Sequence, residues 1–85
     1  HASRLKLASM LLVQGQYDAA LQQLANPYPA PFASLYADLK GDVLLAAGKK
    51  AEARAAYQLA LDKLDAQSSY RSLVQLKLDG LGNAQ

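Results

Sequence analysis

Two aspartates spaced four residues apart, Asp38 and Asp42, are the side chains in this 85-residue sequence that most suggest chemistry. Residues four apart lie on one face of an α-helix, so the two carboxylates could act as a pair or hold a cation. The alternative is that both are solvated polar residues beside Lys40. We expect this second arrangement, and we predict no catalytic residue, no bound metal and no cofactor, so that the protein is not an enzyme.

Residue types that usually carry catalysis or bind metals are scarce. The sequence has no cysteine, which excludes a disulfide framework, a thiolate metal site and a cysteine nucleophile. Its single histidine is His1, at the chain end, so no histidine pair is available for acid–base or metal chemistry. The formal net charge of +2 is too small to indicate nucleic-acid binding.

The composition is that of a helical protein. Alanine and leucine occur 17 times each, whereas isoleucine, threonine and tryptophan are absent and valine occurs three times. Alanine and leucine lose little side-chain freedom in a helix, while strands prefer β-branched and aromatic residues. The sequence therefore predicts an all-α protein and argues against a β-sandwich, a β-barrel or a doubly wound sheet.

Hydrophobic spacing divides the chain into five helical segments. The predicted segments are residues 3–13, 17–25, 32–47, 51–64 and 70–79, with residues 83–85 as a frayed tail. Gly15 permits a tight turn after the first segment, and Gly48 ends the third. The prolines of the 26–31 connector separate the second segment from the third because proline cannot continue a helix.

The segments pair into hairpins that repeat. Gly15 and Gly48 are 33 residues apart, and the same separation joins Ala20 to Ala53. A period near 34 residues with helix–turn–helix content is typical of tetratricopeptide repeats. We predict one tetratricopeptide-like domain over residues 1–82, a right-handed stack of two antiparallel helical hairpins and a C-terminal capping helix. An unrelated helical bundle is the alternative. The hairpins are predicted at residues 3–25 and 32–64, and the capping helix at residues 70–79.

Small and aromatic residues in the second hairpin support this prediction. Gly41 and Ala53 would let its two helices approach closely, and Tyr57 would fill the gap between this hairpin and the next helix. Repeats of this kind contact mainly their neighbours, so an end of the stack stays open. The open end is predicted on the first segment, whose apolar surface suggests either an upstream helix or a homodimer through this helix. That surface is predicted to consist of Leu5, Leu7, Leu11 and Leu12.

The first helix of each stacked hairpin lines the inner face of such a repeat array. Segments one, three and five are therefore predicted to form a groove for a partner. Its mixture of apolar, acidic and amide side chains suits a peptide or a partner helix. The residues predicted to line this partner-binding groove are Leu5, Ser9, Leu12, Leu35, Asp38, Asp42, Arg71 and Gln75.

Several runs resemble the C-terminal part of the YfgM family, the ancillary subunits of the bacterial SecYEG translocon. The most specific runs are residues 37–42 (ADLKGD) and 75–78 (QLKL), and the resemblance extends over residues 3–81. It implies a tetratricopeptide-like periplasmic domain and transfers no catalytic residues. The proline-rich connector at residues 26–31 departs from the family pattern.

The resemblance implies a location on the periplasmic side of the bacterial inner membrane, with the parent protein anchored by an N-terminal helix absent from this sequence. It also implies protein partners, namely translocon subunits, a membrane-anchored periplasmic chaperone of the prolyl-isomerase type, and emerging polypeptides. We expect no nucleic acid, and no membrane contact by this segment itself, because its longest uncharged stretch, residues 19–37, contains three prolines. The alternative function is a tetratricopeptide scaffold in another assembly, such as a lipoprotein or a cytosolic regulator.

Overall fold

The computed structural model describes residues 2–82, and this part of the chain contains five α-helices and no strand. The helices are α1 (Ala2–Val13), α2 (Tyr17–Leu24), α3 (Ala33–Ala46), α4 (Lys50–Lys63) and α5 (Tyr70–Gly82). The prediction of an all-α chain with five helices is therefore confirmed.

Equivalent turns join α1 to α2 and α3 to α4. Gly15 and Gly48 have φ angles of 78° and 85°, left-handed values that glycine adopts without a steric penalty. In each turn the amide after the glycine donates to the carbonyl five residues earlier, which satisfies the end of the preceding helix. These bonds are Gln16 N to Leu11 O at 2.9 Å and Lys49 N to Leu44 O at 2.8 Å. The backbone of the two hairpins thus repeats at the 33-residue spacing seen in the sequence.

The proline-rich connector leads from the first hairpin to the second. After α2 the chain is irregular until a 3₁₀ turn at Ala30–Phe32, which runs directly into α3. The ring of Tyr28 in this connector stacks on the ring of Tyr36 in α3, with centroids 4.5 Å apart. This contact holds the connector against the second hairpin.

Buried side chains form two hydrophobic clusters. The N-terminal cluster lies between α1, α2 and α3 and includes Tyr36 and Val43. The C-terminal cluster lies between α3, α4 and α5 and includes Tyr57 and Val74. Leu21 packs against both clusters, so the two hairpins share one continuous interior.

Close packing of α3 on α4 depends on the absence of a side chain at Gly41. A Cβ atom built on Gly41 would lie 2.5 Å from Cε1 of the Tyr57 ring, far inside van der Waals contact. Ala53, on the facing helix, is fully buried. These positions agree with the predicted role of small residues in this hairpin, and they show that Tyr57 itself occupies the space beside Gly41.

α5 is longer than predicted. The sequence predicted its end at Asp79, with glycines terminating it, whereas the helix continues to Gly82. Leu81 is buried in the C-terminal cluster, and the Arg54 guanidinium donates to its carbonyl at 3.2 Å. This burial outweighs the roughly 1 kcal/mol by which a glycine such as Gly80 disfavours a helix. The predicted frayed tail, residues 83–85, lies outside the described residues.

α5 is also rotated relative to the prediction. Leu73, an apolar residue of the fifth predicted segment, is 45% exposed. The buried residues are instead Val74, Leu78 and Leu81, which pack mainly on α4. The rotation turns Tyr70 and Lys77 toward α3, where they meet the two aspartates.

Candidate functional site

A groove of about 300 Å³ lies between α1, α3 and α5, and we call it the inner groove. Apolar side chains from α1 and α3 alternate in its lining with the polar groups of α3 and α5. The lining residues are Leu5 and Ser9 of α1, Leu35, Asp38, Leu39 and Asp42 of α3, and Tyr70 and Lys77 of α5.

The two aspartates of the inner groove hold a cation that the chain itself supplies. The Lys77 ammonium lies 3.1 Å from both carboxylate oxygens of Asp38 and 3.2 and 3.3 Å from those of Asp42. Asp38 is only 4% exposed. The expectation that both aspartates are solvated beside Lys40 was wrong, because α5 covers their face of α3 while Lys40 lines a separate hollow.

Two tyrosine hydroxyls complete the environment of the aspartates. Tyr57 of α4 donates to Oδ1 of Asp42 at 2.5 Å, and Tyr70 of α5 donates to Oδ2 of Asp38. The ammonium of Lys77 also lies 5.6 Å from the centroid of the Tyr57 ring, within cation–π range. We call these five residues, Asp38, Asp42, Tyr57, Tyr70 and Lys77, the Asp–Lys–Tyr cluster.

Helical spacing explains why the cluster forms. Asp38 and Asp42 are one turn apart on α3, and Tyr70 and Lys77 are two turns apart on one face of α5. Tyr57 reaches the cluster from α4 because Gly41 leaves room for its ring. The cluster therefore joins three consecutive helices, α3, α4 and α5.

The cluster raises the pKa of its two tyrosines and of its lysine. Burial raises the pKa of Tyr57 above its usual range, and the hydrogen bond to Asp42 and the charges of the aspartates raise it further. Burial and the hydrogen bond to Asp38 raise the pKa of Tyr70 in the same way. Burial alone would lower the pKa of Lys77, but its bonds to Asp38 and Asp42 outweigh this effect and raise it. Both tyrosines are thus neutral hydrogen-bond donors and Lys77 is a charged ammonium at neutral pH.

Five of the predicted groove residues do line the inner groove. They are Leu5, Ser9, Leu35, Asp38 and Asp42. Leu12 is not among the lining residues, and its side chain is half-buried against the N-terminal cluster.

Arg71 and Gln75 were predicted in the groove, but the structure places both on another side of α5. Arg71 donates to the carbonyls of Leu61 at 2.7 Å and Leu64 at 3.3 Å, which satisfies the C-terminal end of α4. Gln75 donates to Asp79 at 2.9 Å. Both residues line another hollow, formed by α4 and α5, because of the rotation of α5.

Sequence reasoning missed Leu39, Tyr70 and Lys77 as groove residues. The spacing of seven positions between Tyr70 and Lys77 puts both on one helix face, and a buried pair of carboxylates requires a nearby cation. These two signals together could have identified Lys77. Which face of α5 packs on α4, however, could not be predicted from the sequence.

α1 leaves an apolar surface uncovered that only partly matches the predicted one. Leu5, Leu11 and Leu12 are half-buried against the N-terminal cluster. The exposed large apolar residues of this helix are Leu7, which was predicted, and Met10 and Val13, with exposed fractions of 42%, 53% and 87%. We call these three residues the outer face of α1.

No helix within residues 2–82 is long and apolar enough to cross a membrane. Nor do the aspartate and glutamate side chains in this part of the chain form any group of three or more that could hold a metal ion.

Comparison with known proteins agrees with this architecture. An ancillary SecYEG translocon subunit of Neisseria gonorrhoeae is 46% identical to this chain over 76 residues. The aligned region covers 89% of this chain and 36% of that protein, so the chain spans little more than a third of the relative's length. The resemblance to such subunits predicted from the sequence is confirmed.

The family description of a tetratricopeptide repeat-like domain matches residues 1–83. No solved structure gives a significant match. With equivalent helical hairpins 33 residues apart and a family match over almost its whole length, this chain belongs to the family of tetratricopeptide repeat-like domains.

Proposed function

We propose that this chain is a non-enzymatic protein–protein interaction module that binds a partner segment in the inner groove. The observation that carries this proposal is the groove itself, which combines the leucines of α1 and α3 with partly exposed polar groups. A groove with apolar walls and a few oriented polar groups is the usual form of a peptide-binding site. Tetratricopeptide-like stacks use such extended surfaces to bind other proteins.

The groove chemistry supports binding rather than catalysis. A general base needs a carboxylate that is free to take a proton from a substrate. In the inner groove Asp38 and Asp42 are instead occupied by Lys77 and by the hydroxyls of Tyr57 and Tyr70. The proposed role of these groups is therefore to shape the groove and set its charge.

For the parent protein we propose a role at the SecYEG translocon, on the periplasmic side of the bacterial inner membrane. The module would contact translocon subunits and link them to a membrane-anchored periplasmic chaperone of the prolyl-isomerase type, so that emerging polypeptides pass from one to the other. The support for this role is the relative named as an ancillary SecYEG translocon subunit, at 46% identity.

Site-specific photocrosslinking in intact cells tests this proposal. A photoreactive amino acid replaces Ser9, in the wall of the inner groove, or Gln58, which is exposed on α4 and does not line it. We expect the probe at position 9 of the complete protein to capture translocon subunits or a periplasmic chaperone, and the probe at position 58 to capture less. The proposal fails if neither position captures them. Capture of a different assembly alone would favour the alternative role as a scaffold elsewhere.

We also propose that a second copy of the chain can pack on the outer face of α1. The exposure of Leu7, Met10 and Val13, one side of a single helix, supports this contact. Sedimentation velocity over a concentration series tests it. We expect a dimer whose fraction rises with concentration and is lost in Met10→Lys, whereas a monomer at all concentrations would contradict it.

A further inference from the structure

The hydrogen-bond donors in the polar part of the inner groove are already bonded to the two aspartates. An ammonium carries three protons, and Lys77 directs its contacts at four carboxylate oxygens within 3.3 Å. Tyr57 and Tyr70 each have one hydroxyl proton, and each donates it to an aspartate. The Asp–Lys–Tyr cluster therefore offers a partner oxygen lone pairs rather than hydrogen-bond donors.

The cluster also carries unbalanced charge. Two carboxylates and one ammonium sum to a formal charge of −1, and no other charged side chain of the described residues lines the groove. The side chain of Asp42 is 30% exposed, whereas that of Asp38 is 6% exposed. Asp42 is therefore the carboxylate that a partner can reach. Among the residues that the structure describes, only Lys77 donates to its Oδ2, which leaves lone-pair capacity on that oxygen.

Apolar side chains lie beside this carboxylate. Leu5 of α1 and Leu35 and Leu39 of α3 line the same groove, and Leu35 is an exposed residue. The Ser9 hydroxyl, also in the lining, rotates freely between donating and accepting, so it excludes neither kind of partner. The groove thus sets an apolar contact next to an acidic acceptor.

We propose that the inner groove selects a protein segment in which a lysine or arginine side chain lies beside an apolar side chain. The cation donates to Asp42, and the apolar side chain packs against Leu5 and Leu35. This inference rests on the proposed function of the groove and names the chemistry of its partner. The groove rejects an acidic segment or a C-terminal carboxylate, because the carboxylate oxygens of the partner would face the oxygen acceptors and the negative charge of the Asp–Lys–Tyr cluster.

Fluorescence anisotropy with matched peptides tests the selectivity. Three labelled peptides of one leucine-containing sequence carry lysine, norleucine or glutamate at a single central position. We expect the lysine peptide to bind the complete chain about tenfold more tightly than the glutamate peptide, with norleucine between them. The difference in affinity between the lysine and glutamate peptides should shrink at high salt, because salt screens partly exposed charges. Equal binding, preference for glutamate, or no binding by any of the three overturns the inference.

Two lysine substitutions show whether the selection occurs in the groove. Ser9→Lys adds a cation to the groove lining without altering the Asp–Lys–Tyr cluster. We expect this variant to bind the lysine peptide several-fold more weakly. Gln75→Lys adds the same charge on another side of α5, near Asp79, and should leave binding unchanged. Equal effects of the two variants would overturn the inference. Circular dichroism shows that each variant is folded.

The peptide measurement and the cellular crosslinking can fail independently. If the peptides bind selectively but no translocon subunit or chaperone is captured, the proposed cationic partner stands and the proposed location at the translocon is contradicted. Capture in cells without selectivity among the three peptides would retain the interaction module and reject the cationic partner.

Discussion

The Lys77 ammonium lies 3.1 Å from both carboxylate oxygens of Asp38, a residue 39 positions earlier in the chain. α5 otherwise packs mainly on α4, so this ion pair, together with the hydrogen bond from Tyr70 to Asp38, ties the last helix to the groove side of α3. A pair that is mostly buried depends on both members, since removing one leaves the other charge uncompensated.

Replacing Lys77 by methionine should therefore destabilise the fold. The variant keeps the aliphatic stem but leaves Asp38 and Asp42 without their cation, and we expect the free energy of unfolding to fall by about 2 kcal/mol. Urea unfolding followed by circular dichroism measures this change. Lys40→Met removes an exposed lysine from α3 and should change stability by less than about 0.5 kcal/mol. Equal losses in the two variants would contradict the importance of the pair.

Two glycine-to-alanine changes within helices should have opposite effects. Gly41→Ala forces a Cβ against the Tyr57 ring, so we expect a loss of about 1–3 kcal/mol despite the better helix propensity of alanine. Gly80→Ala meets no atom within 4 Å and should stabilise α5 by about 0.5–1 kcal/mol. Thermal or urea unfolding compares the two. A stabilising Gly41→Ala would show that the α3–α4 contact tolerates a methyl group.

Stability should decline in alkaline solution. The folded state raises the pKa of Tyr57, Tyr70 and Lys77, so it binds their protons more tightly than the unfolded chain does. The resulting stabilisation is complete below the unfolded pKa values of about 10 and is lost as the pH rises through the folded values. Urea midpoints between about pH 8 and 11 test this expectation. Tyr70→Phe should flatten the decline, and a midpoint independent of pH in the unsubstituted chain would contradict it.

Removing the hydroxyl of Tyr36 should not weaken the fold. This side chain is buried, and its hydroxyl oxygen finds no hydrogen-bond partner within residues 2–82. An unpaired buried polar atom is unfavourable, so we expect Tyr36→Phe to leave stability unchanged or raise it by up to about 1 kcal/mol. The control is Tyr57→Phe, which breaks the bond to Asp42 and should cost about 1–2 kcal/mol. Chemical denaturation compares the free energies of unfolding of the two variants. A larger loss of stability in Tyr36→Phe than in Tyr57→Phe would show that the Tyr36 hydroxyl has a partner.

The sequence by itself determined the helices and the turns between them. Gly15 and Gly48 end their helices because the left-handed turn needs a residue without a Cβ, and this requirement is local. The alanine- and leucine-rich composition and the 33-residue spacing follow equally from short-range rules, since helix propensity and periodicity involve residues within a few turns. Most of the groove residues of α1 and α3 could be assigned on that basis.

Only the tertiary structure decided which face of α5 meets the groove. The apolar residues of this helix, including Leu73, Val74, Leu76 and Leu78, surround most of its circumference, so periodicity alone allows more than one buried face. The packing of Val74 and Leu78 on α4 selects one of them and leaves Leu73 exposed. That rotation brings Lys77 between Asp38 and Asp42. The charge of the inner groove is therefore a product of long-range packing, because no local pattern couples residues of α3 to residues 39 positions away.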